Sequence, residues 1–284
     1  PTLRRFVEDG TVSKITSQFP STTAAHVTTI HTGKQVDESG VFEWFYYEPK
    51  LDAMIAPLLY SYAGDSERNS LKGVIDPHEL YPNHSIYKQL GEKGIATYQF
   101  QSRDYTPSPY GDVVTEGVTY VNAFADIETA LFDLNQAVTN EMGKAYFYFY
   151  YGDIDSAGHK YGPSSPEFEA VVDKFFTNLE KLFVSASEGQ CGNTVMLMTA
   201  DHGQTDIDPA TTIYLNKEIP EIIEWTKTNN KRGLLVAGGS CRDMFLYIKD
   251  EYIDVAMKKL TDLLKDKAEV YLVSDLMEHV LQIY

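Results

Sequence analysis

Cysteine is scarce in this sequence, and two other common features are missing from it. Cys191 and Cys241 are the two cysteines among the 284 residues, which is too few for the disulfide framework of a small secreted domain. No apolar run approaches the length of a membrane span, and no secretory signal pattern precedes the first helix. We therefore expect free thiols, a cytoplasmic location and no membrane partner. Because the chain begins at Pro1 within a helical pattern, we also expect it to be part of a longer protein.

Basic residues are few as well. The chain has 24 Lys and Arg against 41 Asp and Glu, for a formal net charge of −17. This excess of negative charge disfavours nucleic acid and anionic membranes as main partners. It leaves a small anionic substrate possible, because bound cations can reverse the local field. Repeats and low-complexity tracts are absent, so nothing indicates a linker.

Apolar runs and amphipathic segments predict an α/β fold. The runs at 95–100, 145–151 and 193–200 are typical of buried strands. Helical patterns fill 126–142 and the segment that follows Ser165. The strand, helix and strand between 145 and 200 predict a right-handed βαβ unit. We expect a mainly parallel central sheet with helices on both faces.

Other segments are less regular. Residues 50–117 combine weak periodicity with many turn signals, and we predict an inserted loop or cap region there. Further strands are predicted at 11–15, 243–249 and 269–273, and an amphipathic helix at 253–264.

The segment after the 145–151 run contains two possible metal ligands. Asp155 and His159 are four residues apart, in what we interpret as a loop leaving the carboxyl edge of the sheet. A carboxylate oxygen and an imidazole nitrogen at this spacing can share one metal ion. For this segment alone, a solvated loop with a chance histidine is an equally good interpretation.

A second apolar run ends in the same chemistry. Residues 193–200 are followed directly by Asp201, His202 and Gly203. Two strand ends that each deliver one carboxylate and one imidazole predict two neighbouring metal ions. The coincidence of the two segments favours this interpretation over two unrelated surface loops.

Thr23 lies at the predicted start of a helix that runs to His31 and is capped by Gly33. Threonine is common at this position simply as an N-cap. The start of a helix also offers backbone N–H groups and the positive end of the dipole, which suit a phosphate or an alkoxide. Thr22 is the alternative source of such a hydroxyl.

Aromatic residues dominate the stretch from Val41 to Tyr47. Trp44 is either part of the core or a platform on which a substrate ring stacks, and the core is the more common role for such a residue. We keep Trp44 as a candidate substrate-binding residue.

Three motifs, in this order, resemble the alkaline phosphatase superfamily and, within it, the type I phosphodiesterase/nucleotide pyrophosphatase branch. The first is Pro-Ser-Thr-Thr followed by Thr-Gly, the second is Asp-x-x-x-His with Gly-Pro, and the third is Asp-His-Gly. They occupy residues 20–23 with 32–33, residues 155–163, and residues 201–203. The resemblance extends over residues 1–248.

The resemblance implies one hydrolase domain over residues 1–284 that cleaves phosphodiester or pyrophosphate bonds of a small phosphate ester. Thr23 would be the nucleophile and would carry the phosphoryl or nucleotidyl group transiently. Two divalent ions, zinc in this family, would be held by Asp155 with His159, and by Asp201 with His202 and the Thr23 oxygen.

The family pattern also contains ligands that this sequence does not supply at matching positions. We expect the remaining Asp ligand to precede Pro1 and the remaining His ligand to follow Tyr284, since His279 in a terminal helix is a poor substitute. The branch often has Asn at the position of Trp44. Two alternatives stay open: a phosphomonoesterase, phosphomutase or phosphonate hydrolase on the same fold, and a binding protein that has lost catalysis.

Overall fold

The structure is a computed structural model of the chain and describes residues 2–280. Its helices are α1 (Thr2–Asp9), α2 (Thr23–Thr32), α3 (Val36–Ser39), α4 (Pro77–Leu80), α5 (Ile86–Glu92), α6 (Pro109–Val114), α7 (Ile127–Asn140), α8 (Asp153–Tyr161), α9 (Pro166–Asn178), α10 (Leu215–Glu218), α11 (Ile222–Trp225), α12 (Ile253–Leu264) and α13 (Val273–Val280). Its strands are β1 (Tyr46–Glu48), β2 (Ala53–Ala56), β3 (Ser61–Tyr62), β4 (Ala96–Ser102), β5 (Tyr120–Phe124), β6 (Ala145–Phe149), β7 (Gly238–Gly239) and β8 (Met244–Phe245).

The chain divides into two compact units. The first comprises the residues up to Phe45 together with Ile55–Asp208, and the second comprises Tyr46–Met54 and the residues from Pro209 onward. The predictions of a single hydrolase domain and of an inserted region at 50–117 stay predictions.

A parallel sheet forms the centre of the first unit. β4 is its middle strand, flanked by β5 and β6, and both pairs are parallel. Tyr98 of β4 lies opposite Tyr120 on one side and Phe147 on the other. The runs predicted at 95–100 and 145–151 supply β4 and β6, whereas β5 was not predicted.

The two faces of this sheet follow from the alternation of side chains along each strand. Phe100 of β4 belongs to a core cluster with residues of α7, and Phe147 and Phe149 of β6 pack against it. Tyr148 points to the opposite face, where its ring contacts His31 of α2 at 4.7 Å between centroids. Helices therefore cover both faces, and the predicted fold class is confirmed.

The helices of the first face begin at clear caps. The Asp126 side chain accepts a hydrogen bond from the Thr129 backbone N–H at 2.8 Å at the start of α7. Ser165 does the same for Phe168 at 3.1 Å, with proline as the first residue of α9. Such caps satisfy N–H groups that have no partner within the helix. Phe175 and Phe176 of α9 are partly buried and pack against the cluster that contains the α7 residues.

The predicted strand at 193–200 is wrong. No strand is assigned to these residues, which form no ladder with any described strand. Val195 and Leu197 are 84% and 90% exposed, so neither is buried against a helix. The run has the composition of a buried strand, but a strand also needs a partner backbone. The βαβ unit inferred from this run is therefore not formed within residues 2–280.

The predicted strands at 11–15 and 269–273 are also wrong, because neither segment pairs with another strand within the described residues. Both contain β-branched residues without a neighbouring strand to supply hydrogen bonds.

The second unit has a small core of its own. Ile222 and Trp225 of α11 are buried with Ala256 and Leu260 of α12. The helix predicted at 253–264 is confirmed, whereas the predicted strand at 243–249 shortens to β8, which pairs with β7. No helix within residues 2–280 has the length and apolar composition needed to cross a bilayer.

Candidate active site

The start of α2 separates the roles of two adjacent threonines. Thr22 has extended backbone angles and is the N-cap, and its Oγ1 accepts a hydrogen bond from the Ala25 N–H at 3.3 Å. Thr23 is the first helical residue, and its Oγ1 lies 3.0 Å from Nε2 of His202. Capping therefore uses the Thr22 hydroxyl, while the Thr23 hydroxyl faces the predicted site.

His202 is held in one tautomer by its own neighbour. Its Nδ1 lies 3.0 Å from the Gly203 carbonyl oxygen, which can only accept a hydrogen bond, so Nδ1 carries the proton. The Nε2 lone pair is then directed at the Thr23 hydroxyl, which donates to it. The same nitrogen is 3.8 Å from Oδ1 of Asp155 and 3.8 Å from Oδ2 of Asp201. A neutral imidazole oriented in this way is suited to accept a proton or to bind a metal.

Asp155 and His159 lie on a helix, so the predicted loop after residue 151 is wrong. α8 spans Asp153–Tyr161, and the four-residue spacing puts both side chains on one face. His159 Nε2 is 3.3 Å from Asp155 Oδ1, and its side chain is 73% exposed. Acidic residues in the first turn favour a helix, because they interact well with its positive end.

Gln204 positions Asp155 and was not predicted. Its Nε2 donates to Oδ1 of Asp155 at 2.7 Å and to the Asp155 carbonyl oxygen at 3.1 Å. Gly158, on the next turn of α8, leaves the space for this contact, since a Cβ there would lie 1.7 Å from the Gln204 Oε1. The position of Gln204 directly after the Asp-His-Gly motif was the one signal available in the sequence.

Tyr150, just after β6, was also missed. It lines the same cavity as Thr23, and burial followed by the charges of Asp201 and Asp155 raises its pKa. Tyr150 is therefore protonated at neutral pH. The hydrogen bonds at this point of the site run from Thr23 to His202 and from His202 to the Gly203 carbonyl.

Thr23 and Asp155 line a cavity of about 110 Å³ that Trp44 also lines. Trp44 is 37% exposed and packs edge-on against Phe45 at 6.3 Å. Trp44 is therefore more exposed than a core tryptophan would be, although the core is the more common role for this residue type. Its assignment to substrate binding stays a prediction.

The carboxylate and imidazole groups of the site are of the types that bind metal ions, although they do not form a complete ligand set. Oδ2 of Asp201 is buried without a hydrogen-bond partner, which is unusual for a carboxylate oxygen unless a cation lies beside it. Carboxylate oxygens and imidazole nitrogens are common zinc ligands. Within residues 2–280, however, no group of three or more His, Cys, Asp or Glu side chains is arranged to hold an ion. The side chain of His279 lies outside the described residues.

Comparison with known proteins identifies the family. The model of the type I phosphodiesterase/nucleotide pyrophosphatase family matches residues 1–281. The chain belongs to this family. The resemblance found in the sequence motifs is thereby confirmed.

Two curated relatives match a short part of the chain. Ectonucleotide pyrophosphatase/phosphodiesterase family member 7 of Mus musculus is 30% identical over 82 residues, which is 28% of this chain and 17% of the relative. The Homo sapiens protein of the same name is also 30% identical over 82 residues, 28% of this chain and 16% of the relative.

Solved structures match over most of the chain. Murine ectonucleotide pyrophosphatase/phosphodiesterase 5 has a TM-score of 0.60 at 18% identity, over 90% of this chain and 62% of that one. An inactive variant of the same murine protein, in complex with AMP, has a TM-score of 0.62 at 17% identity, over 89% and 61%. At this identity the likeness shows the fold alone. The matched part spans less than two thirds of each of these proteins.

Proposed function

We propose that this protein is a metal-dependent hydrolase that cleaves phosphodiester or pyrophosphate bonds of a small molecule, with Thr23 as the nucleophile. The observation that carries the proposal is the contact of 3.0 Å between the Thr23 hydroxyl and His202 Nε2 at the start of a helix. Membership of the type I phosphodiesterase/nucleotide pyrophosphatase family supports the reaction class.

The chain's own residues prepare the hydroxyl for attack. The Thr23 hydroxyl donates to His202 Nε2, so its orientation is set by an imidazole that is itself fixed by the Gly203 carbonyl. A threonine hydroxyl is a weak nucleophile unless a base or a cation lowers its pKa. His202 Nε2 is in contact with that hydroxyl, and the Gly203 partner of Nδ1 keeps Nε2 unprotonated. This nitrogen would then be able to hold the cation that lowers the pKa of the Thr23 hydroxyl.

The start of α2 supplies the second requirement. A transferred phosphoryl group brings negative charge next to Thr23, and the N-terminus of a helix favours negative charge through its dipole and N–H groups. Thr22 anchors that terminus by capping Ala25, so the donors are held in place before substrate binds.

Two divalent ions complete the proposed site. Asp155 with His159, and Asp201 with His202 and Thr23, would hold them, together with ligands beyond those described. When bound, such ions neutralise phosphate charge and lower the pKa of oxygen nucleophiles. Gln204 fixes the Asp155 carboxylate by donating to Oδ1, and a second-layer contact of this kind orients a ligand.

The substrate is proposed to be a nucleotide-like phosphodiester or pyrophosphate. The names of the curated relatives describe nucleotide pyrophosphatases and phosphodiesterases, and one structural neighbour was solved in complex with AMP. Trp44 lines the same cavity as Thr23 and would supply an aromatic surface for a substrate ring.

Hydrolysis of bis(p-nitrophenyl) phosphate by the full-length protein with zinc tests the proposal. Thr23→Ala is expected to abolish turnover, because the attacking oxygen is removed, whereas Thr23→Ser retains part of it. Thr139→Ala, which removes a hydroxyl bonded to the Asn135 carbonyl on α7, serves as the matched control and should keep the parent rate. p-Nitrophenyl phosphate, assayed in parallel, distinguishes diester from monoester preference. Turnover by Thr23→Ala at the parent rate would refute the covalent mechanism.

A further inference from the structure

His26 lies near the start of α2, three residues after Thr23, and takes no part in the site described above. The cavity beside Thr23 is lined on the α2 side by Thr23, Val27 and His31, and not by His26. A helix turns by about 100° per residue, so the half-buried His26 lies roughly 100° around the helix from Val27. A substrate in the cavity is therefore not expected to touch the His26 side chain.

Two backbone groups hold the imidazole of His26. Its Nδ1 lies 2.9 Å from the Thr22 carbonyl oxygen, which can only accept a hydrogen bond. Its Nε2 lies 2.9 Å from the backbone nitrogen of Gln18, which donates to it. Both contacts are satisfied together only when Nδ1 carries the proton and Nε2 carries a lone pair. The ring is therefore neutral and bridges two points of the chain that are four residues apart.

The contact with Thr22 acts directly on the nucleophile. The Thr22 carbonyl belongs to the peptide unit that joins Thr22 to Thr23, and a peptide unit is planar and rigid. This carbonyl accepts from the His26 backbone N–H at 3.1 Å as well as from the ring. Two donors of His26 therefore fix the plane of the peptide that carries Thr23, and with it the direction in which the Thr23 side chain leaves the backbone.

The contact with Gln18 anchors the segment that leads into α2. Residues 11–17 are exposed and belong to no strand or helix. Within the described part of the chain, the backbone of residues 11–19 makes one hydrogen bond, the one from Gln18 to His26. The Gln18 side chain adds a second attachment, because its Nε2 donates to Oγ1 of Thr29 at 3.0 Å. His26 thus joins the entering segment to the helix at the point where the chain turns toward Thr23.

His84 makes a similar contact at the opposite end of the same helix. Its Nδ1 lies 2.6 Å from the Thr32 carbonyl oxygen, and its Nε2 lies 2.5 Å from the Gln89 side-chain amide. Thr32 is ten residues from Thr22, which corresponds to about 15 Å along the helix axis. His84 therefore shares the chemistry of His26 but does not act on the peptide unit before the nucleophile, which makes it a matched control.

We propose that His26 is a positioning residue for Thr23. Its neutral imidazole ties Gln18 to the peptide unit before the nucleophile and thereby aims the Thr23 hydroxyl at His202. That hydroxyl lies 3.0 Å from His202 Nε2, and a rotation of the peptide unit would lengthen the contact. The inference rests on the proposed hydrolase function for its kinetic test, and hydrogen exchange tests it without catalysis.

Two substitutions of His26 separate its hydrogen bonds from its volume. His26→Phe keeps a planar ring and removes both hydrogen bonds of the imidazole. His26→Gln keeps an amide oxygen that can accept from Gln18 and an N–H group that can donate to Thr22. Both are assayed with bis(p-nitrophenyl) phosphate in the full-length protein with zinc, next to His84→Phe as the control.

We expect His26→Phe to lower kcat by about 10- to 100-fold, because misplacement of a reacting group by about 1 Å has an effect of this size. KM should change by less than about twofold, since His26 does not contact the substrate. His26→Gln should recover most of the lost kcat, and His84→Phe should keep the parent value.

Three kinetic results would overturn the proposal. They are equal losses of kcat in His26→Phe and His84→Phe, a change confined to KM, and losses of the same size in His26→Phe and His26→Gln. If His26→Phe does not fold, His26→Asn takes its place, because its shorter side chain keeps a donor near the Thr22 carbonyl and loses the contact with Gln18. An unchanged kcat in His26→Asn would then overturn the proposal.

Hydrogen exchange measured by mass spectrometry keeps the test independent of catalysis. In the parent protein, the Gln18 amide should exchange at least about tenfold more slowly than the amides of residues 11–17, for which the described residues provide no acceptor. His26→Phe should abolish this protection, and His84→Phe should preserve it. If no diester is hydrolysed but this pattern is observed, the proposed function fails and the role of His26 in holding the start of α2 stands. If Gln18 is unprotected in the parent protein, the inference fails.

Discussion

Gly158→Ala tests how Asp155 is held in the candidate site. A methyl group at this position would lie 1.7 Å from Oε1 and 2.6 Å from Cδ of Gln204, so the Gln204 side chain must move. It would then lose its hydrogen bond of 2.7 Å to the Asp155 carboxylate. Hydrogen bonds to charged groups contribute about 1.5–3 kcal/mol. If all of this free energy is lost from the transition state, kcat/KM falls by roughly 10- to 150-fold.

The same substitution should not reduce the stability of the fold. Replacing glycine by alanine within a helix favours the helix by about 1 kcal/mol, and the Gln204 side chain is long enough to turn toward solvent. We therefore expect a thermal denaturation midpoint equal to or above that of the parent, with a lower rate of diester hydrolysis.

A double-mutant cycle with Gln204→Ala makes the test strict. If the clash with Gln204 is the cause, Gly158→Ala should have no further effect on kcat/KM once the Gln204 side chain has been truncated. Losses that multiply in the double variant would refute the reasoning, since they would show that alanine at 158 disturbs the site without involving Gln204.

Three further outcomes follow from the structure. Thr22→Ala should lower the free energy of unfolding, measured by urea denaturation, by about 1 kcal/mol through loss of the α2 cap. It should reduce activity far less than Thr23→Ala does. Equal losses of activity would contradict the separate roles of the two threonines. Burial raises the pKa of Tyr87, Tyr148 and Tyr150 above their value in the unfolded chain, so the native state retains protons that the unfolded state releases. These tyrosines should therefore leave stability unchanged between about pH 7 and 9 and lower it above about pH 10, as measured by denaturant unfolding at each pH. Unchanged stability up to pH 12 would contradict this expectation. Burial lowers the pKa of His31 to about 3, so the unfolded state binds the extra proton and stability should fall as pH drops below about 6.5; the slope should decrease by one proton in His31→Asn, and an unchanged slope would show that His31 is charged in the native state.

Much of the fold could be predicted because its signals are local. Asp126 and Ser165 each cap a helix from within its own first turn, and both helices begin where the sequence predicts. The runs of β4 and β6 are long, apolar and followed by turn residues. β5 was missed because Tyr120 and Val121 are exposed, so the strand has no clear pattern of alternation.

The errors arise where structure depends on a partner far along the chain. Residues 193–200 have the composition of a strand, yet no described strand pairs with them. The segment from Asp153 to Tyr161 was interpreted as a loop, since its carboxylates and glycine resemble loop chemistry, but it forms α8.

The candidate site shows the same division. Sequence reasoning selected Thr23, Asp155, His159, Asp201 and His202, and the structure links these side chains by contacts of 3.0–3.8 Å. Their roles in catalysis and metal binding stay predictions. Tyr150 and Gln204 were missed, because each lies near a site residue more than 40 positions away in the chain.

The central claim is that Thr23 becomes covalently attached to the phosphoryl group. The most direct test is mass spectrometry of the full-length zinc protein, acid-quenched during turnover of a p-nitrophenyl nucleotide ester and then digested. The account predicts a nucleotidyl adduct on the peptide that contains Thr23, localised to that residue by fragmentation and absent from Thr23→Ala. Normal turnover with no adduct on that peptide, or an adduct on Thr22 instead, would contradict it.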